Sequence, residues 1–270
     1  MARGMTPAPS PFPFPNGFHY FCDHRCWRCE LSHHCSVFAR WKKLNERHRM
    51  HFSGPAGRVA SVLAVSIEVT IEEATVVAAE IDRTMPLERK AIEDAVNTAP
   101  PAGDPERDAR HDPVVARAAD YAQACWPAIQ TLRPMLHAKG DEAAAETTDR
   151  LEEMCATIAS KIFRAVSGTF NIGTNPGDVQ SDANGSAKVA LLLIEESRQA
   201  WRDLMQPGRA IADGLPARFV DMLDNIEAGL LQRFPRAFEF VRPGFDTGLA
   251  GATSDQLARA MRRATEGAVS

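Results

Sequence analysis

No stretch of this 270-residue chain reads as a membrane span. The most apolar run, Val59 to Ile81, carries Glu68, Glu72, Glu73 and Glu80, and four carboxylates are too costly to place in hydrocarbon. The first 16 residues lack the apolar core of a secretory signal, and their five prolines oppose a helix. The protein is therefore expected in the cytoplasm. Alternation of apolar and polar residues is missing, as is any internal repeat, so neither strands nor a solenoid organise the chain. None of the long helical segments carries Glu-x-x-His, the motif that di-iron bundles place on two helices. No run of Lys and Arg is long enough to read as a nucleic-acid-binding tail.

What remains is helical. Hydrophobic residues make up 44% and charged residues 24% of the chain, ordinary for a globular protein, and the length allows a sizeable core. Residues 1–17 read as a disordered, proline-rich tail, and 18–52 as a cysteine-rich segment running into a basic helix at 36–51. Residues 58–241 read as a helical bundle, and 242–270 as an irregular segment with a last helix at 254–266. Within the bundle, helices are expected over 59–81, 87–98, 113–138, 186–206 and 216–233. A further one should return antiparallel after the turn Lys139-Gly140-Asp141. Residues 99–113, with four prolines, read as a linker. Trp126 and Met205 are expected on the inward stripes with Cys125, Ile129, Trp201 and Leu204. The fold class is all-α: a bundle of about five main helices behind a short cysteine-rich segment.

Charge is unevenly spread. Residues 1–58 carry a net charge of +6 and the remainder −10. A basic head on an acidic body can bind a nucleic acid, but without a long basic block the stronger expectation is that it folds back on its own helices. No membrane partner is expected.

Four of the six cysteines fall within 14 residues, as Cys22-x3-Cys26-x2-Cys29-x5-Cys35. Clustered cysteines in a cytosolic chain point to metal rather than to disulfides. Thiolates are the ligands, and His24, Arg25, Arg28, His33 and His34 supply positive charge that favours them. Phe18, Tyr20, Phe21, Trp27 and Phe38 can shield such a centre from water. A single short run suits a [4Fe–4S] cluster, whose iron corners spread the ligands, although the spacing differs from the ferredoxin pattern. Zn²⁺ is the alternative, with His33 or His34 able to replace a cysteine. The C-x3-C-x2-C portion also resembles the motif of radical S-adenosylmethionine enzymes. Arg28 before the third cysteine, the surplus Cys35 and the helical body argue against that family.

The function expected from these features is electron transfer or redox sensing by a metal- or cluster-binding helical protein. A zinc-stabilised module that docks a protein or nucleic acid is the alternative. A third reading is an enzyme using the loop 169–185 and the helix start behind it. There Gly185, Ser186 and Lys188 form a candidate anion site at a helix N-terminus. No catalytic residue is identifiable. Cys125 and Cys155 read as core cysteines, with a shared second metal site as the sharper alternative. Glu152 and Glu153 read as solvent-facing, and His111 and His137 as surface residues.

Three stretches, from Tyr20 to Cys35, Asp182 to Leu191 and Phe234 to Asp246, together resemble an uncharacterised family of bacterial proteins. The resemblance implies that the cysteine head and helical body work together. It implies no activity.

Overall fold

The computed structural model describes residues 22–29, 31–32, 35–48, 105–170, 178–206, 211, 214–242 and 245–246. Among them there is no strand, and five of the six α-helices are thirteen residues or longer, so the architecture is the all-helical one expected. The helices are α1 (Ser36–His48), α2 (Pro105–Arg110), α3 (Pro113–Ala138), α4 (Glu142–Phe170), α5 (Asp182–Leu204) and α6 (Leu215–Arg233), with 3-10 turns at Cys26–Arg28 and Ala237–Glu239. No helix among the described residues is long and apolar enough to cross a membrane. The expected tail at 1–17 and the helices at 59–81, 87–98 and 254–266 lie outside the described residues.

Local chemistry explains the helix ends. The Asp112 carboxylate accepts the Val114 backbone N–H at 2.8 Å, and Pro113 occupies the first position of α3, where its missing N–H costs nothing. Pro127 and Pro134 lie inside α3 without ending it. Both are exposed, as are Gln123 and Gln130 one turn earlier, so carbonyls that lose a helical partner can turn to water. Gly140 adopts φ +72°, a left-handed conformation that reverses the chain between α3 and α4. The Asp141 N–H bonds back to the Leu136 carbonyl at 3.0 Å, and the Asp141 side chain then accepts from Ala144 N–H at 3.1 Å. The presumed linker at 99–113 contains α2, which packs on α4 through the buried Ala109.

The four long helices close a ring. Helix α4 packs against α3 and α5, and α6 packs against the same two. The centre is aromatic. Trp201 stacks on Phe219 with centroids 4.4 Å apart, and Tyr121 meets Phe219 edge-on at 6.0 Å. Trp201 Nε1–H donates to the Tyr121 hydroxyl at 3.2 Å, and that hydroxyl pairs with Ser197 Oγ at 2.7 Å, so the polar atoms of the core centre satisfy one another. Two apolar residues depart from expectation. Trp126 is 41% and Met205 45% exposed, because Trp126 falls beside the buried face of α3 and Met205 lies past the last turn of α5.

Glu152 and Glu153 are buried, not solvent-facing. The Glu152 carboxylate is neutralised by Arg133, itself paired with Asp149 at 2.7 Å, and accepts from Gln130 Nε2 at 3.2 Å. A carboxylate with those partners can enter a core that would exclude it alone. His111 and His137 are exposed, the latter 3.0 Å from Glu142.

Candidate functional site

The four N-terminal cysteines fall on a chain of tight turns. The Cys29 N–H bonds to the Cys26 carbonyl at 3.3 Å, Ser32 to Cys29 at 3.1 Å, Cys35 to Ser32 at 3.1 Å, and Ala39 to Cys35 at 3.0 Å as α1 begins. Backbone bonds of the three-residue kind bring side chains at that interval to one side. Cys26, Cys29, Ser32 and Cys35 share this register, and Ser32 is a member that cysteine counting alone does not find. Ahead of them, His24 takes φ 60°, the only described non-glycine residue with positive φ. This left-handed residue turns the chain between Cys22 and Cys26 and stores local strain of a kind that clusters at functional sites.

Cys22, Cys26 and Cys35 are buried and Cys29 half-buried. Cys26, Cys35 and Val37 form a small apolar cluster with Trp27, Phe38 and Trp41 packed on it, Phe38 and Trp41 stacking at 5.7 Å. Trp27 and Phe38, two of the aromatic residues expected near the cysteines, thus pack on Cys26 and Cys35. Phe18, Tyr20, Phe21, His33 and His34 lie outside the described residues.

Burial pushes the Cys22 thiol up to about 12, with Lys161 pulling the other way and Asp23 and Cys35 adding to the rise. Burial also drives Cys26 far above the usual thiol range, and the nearby thiols of Cys22, Cys35 and Cys29 add to it. The Cys26 sulfur is thus within electrostatic reach of the other three, and Cys22 of Cys35. Burial favours the neutral form of the Cys22 and Cys26 thiols. The donor set fits a thiophilic metal or cluster. Among the described residues, however, no three Cys, His, Asp or Glu side chains are arranged to hold a metal ion.

The site rests on the bundle. Arg25 Nη1 and Nη2 donate to the two oxygens of Glu196 on α5, both at 2.8 Å, while Arg25 Nε donates to Asp23 at 2.8 Å. Burial opposes the Arg25 charge, but the Glu196 hydrogen bonds and the Asp23 carboxylate outweigh it and hold its pKa above the ordinary value. The cation acting on Cys22 is Lys161 from the middle of α4. Lys161 is only 2% exposed, and burial lowers it to about 8 even though Cys22 favours its charge. Its signal in the sequence is a lysine three residues after Ile158, on the spacing of the apolar stripe itself.

No known family, curated protein or solved structure matches the chain. The functional reading therefore rests on the geometry of this molecule.

The start of α5 differs from the expected anion cradle. The helix begins at Asp182, four residues before the expected start, with Ser181 Oγ accepting the Asn184 N–H at 3.3 Å. Gly185, Ser186 and Lys188 lie inside the helix, and the Gly185 N–H is bonded to the Ser181 carbonyl at 3.0 Å. The Lys188 ammonium donates to the Phe240 carbonyl at 2.6 Å and pairs with Asp246 at 2.5 Å. Asp246 also accepts from the Arg242 N–H and Nε at 2.9 and 3.0 Å. These bonds seat the segment after α6 on α5. A Cβ on Gly185 would stand 2.8 Å from the Phe240 ring. Gly185→Ala is accordingly expected to lower stability by about 1–3 kcal/mol through overpacking. Thermal unfolding checks this, and unchanged stability would show that the ring moves aside freely. The neighbouring residues 171–177 lie outside the described set.

Proposed function

We propose that the protein binds a metal centre through Cys22, Cys26, Cys29 and Cys35, with a [4Fe–4S] cluster as the first assignment and electron transfer or redox sensing as its role. The observation that carries the reading is the Cys26 thiol, buried beneath Trp27, Phe38 and Trp41 and within electrostatic reach of the other three thiols. Loading tightens the turns around the centre, so binding and local folding are one event. The aromatic cover limits water access, which tunes potential and protects a cluster from oxidants. The site belongs in the cytoplasm, where thiols stay reduced. The bundle contributes the Glu196 clamp and the Lys161 charge.

A structural Zn²⁺ is the second reading. The docking of Arg25 on Glu196 favours it, because a centre that pins the head to the bundle needs no redox chemistry. Colour separates the two. Anaerobically purified protein that is brown, with broad visible absorption bleached by dithionite, supports the cluster; a colourless protein holding zinc supports the second reading.

The clamp gives its own expected result. Glu196→Ala leaves the four cysteines intact but removes the bidentate partner of Arg25. The partly exposed pair is worth about 1 kcal/mol, so cleavage of the loaded head by a dilute protease should rise about fivefold with metal content unchanged. Equal cleavage rates in the two proteins would mean that the head docks by other contacts.

A further inference from the structure

We propose that Lys188 and Arg242 form a carboxylate-binding site for a small organic acid, and that Asp246 fills this site as a tethered competitor. Lys188 belongs to α5, and Arg242 and Asp246 to the segment after α6. Their donors match the two oxygens of one carboxylate. Asp246 Oδ2 accepts from the Lys188 ammonium at 2.5 Å and from the Arg242 backbone N–H at 2.9 Å. Asp246 Oδ1 accepts from Arg242 Nε at 3.0 Å and lies 2.9 Å from Nη2. Two cations and a backbone N–H around one planar anion are a donor set that recognises carboxylates. No N–H of the helix start takes part, so this site differs from the one expected at Gly185 and Ser186.

The donors are anchored by more than Asp246. The Lys188 ammonium also donates to the Phe240 carbonyl at 2.6 Å, and Phe240 is buried with its ring over Gly185. With its amide oriented to satisfy both groups, Gln180 accepts from the Val241 N–H at 3.0 Å and donates to the Val241 carbonyl at 3.3 Å. These contacts seat the backbone as far as Arg242. Beyond it comes a single turn, in which the Phe245 and Asp246 N–H groups bond back to the Arg242 carbonyl at 3.1 and 2.9 Å. The side chains of Lys188, Arg242 and Asp246 are 13%, 19% and 21% exposed, so the site is reached from solvent. Burial opposes the Asp246 charge, but hydrogen bonds from Arg242 and Lys188 outweigh it and hold the carboxyl below its ordinary range.

The exchange is one carboxylate for another. A free acid takes the four donors, Asp246 is released to water, and neither cation is left unpaired. Phe245, half-buried with the Arg242 guanidinium 5.2 Å from its ring centroid, swings out with Asp246. A carboxylate on so short a tether competes at an effective concentration on the order of millimolar. Asp246 therefore lowers the apparent affinity for a free acid by the fraction of time it holds the site.

The full-length protein and its Asp246→Ala variant are titrated with sodium acetate at constant ionic strength, with the Arg242 amide followed by nuclear magnetic resonance. The expected result is saturable binding in both, tighter in Asp246→Ala by about tenfold or more, and its loss when Lys188→Ala is added. Asp246→Asn keeps the shape of the side chain and should also bind acetate more tightly than the wild type, which decides the matter if the alanine variant misfolds. Inorganic phosphate, tetrahedral rather than planar, should bind the same variants more weakly than acetate. The proposal is overturned by no saturable acetate binding, by equal affinity in wild type and Asp246 variants, by binding that survives Lys188→Ala, or by phosphate binding as tightly as acetate.

Discussion

Replacing Cys26 or Cys29 with serine should lower bound metal by roughly tenfold or more, because a hydroxyl is a poor substitute for a thiolate at a soft site. Cys26 should show the larger effect, since its thiol feels all three of the others and is the more buried. Cys125→Ala and Cys155→Ala should leave metal content unchanged, because those residues lie within the bundle core. The serine variants should also expose the head to protease while the bundle's thermal transition persists, since loading orders the segment that carries the ligands. Metal content is measured on desalted protein. Equal metal in Cys26→Ser, Cys29→Ser and wild type would remove the assignment altogether.

The second large effect lies in the scaffold. Trp201→Ala should destabilise the bundle by about 3–5 kcal/mol, a large part of a domain's total stability. The indole is fully buried, stacks on Phe219 and donates to Tyr121, so its removal opens a cavity and takes away a donor. Trp201→Phe should cost less, because the ring still packs and the Tyr121 hydroxyl retains Ser197. Chemical denaturation gives both values. A loss below about 1 kcal/mol for Trp201→Ala would mean that the core collapses into the space, contrary to the packing described.

Much of the scaffold was legible because amphipathic spacing is a property of the helix itself. The stripe Leu151, Met154, Cys155, Ile158, Ile162 and Val166 is buried as its spacing required. Asp112-Pro113 and Gly140 marked their helix ends because capping acts over two or three residues. What depended on tertiary partners was not legible. Glu152 is inside because Arg133 comes from another helix to meet it. Gly185 read as the end of a loop, yet it is the one side-chain-free position where Phe240 can close on α5. Lys188, on the same grounds, read as an anion ligand, although Asp246 reaches it from 58 residues away.

The cysteine site divides in the same way. Residue type and clustering pointed to Cys22, Cys26, Cys29 and Cys35, and of these Cys26 lies within electrostatic reach of the other three. The three-residue register that includes Ser32 rests on backbone hydrogen bonds that composition cannot show. Of the charges close by in sequence, His33 and His34 lie outside the described residues. Arg25 turns to Glu196 and Asp23, and the cation acting on Cys22 is Lys161, 139 positions further along the chain.

X-ray absorption spectroscopy at the metal edge of the anaerobically purified protein tests the central claim most directly. Four-cysteine ligation predicts sulfur as the only near neighbour, at about 2.3 Å, with an added iron–iron distance if the centre is a cluster. A spectrum dominated by nitrogen or oxygen neighbours, or protein that retains no metal after desalting, would contradict it.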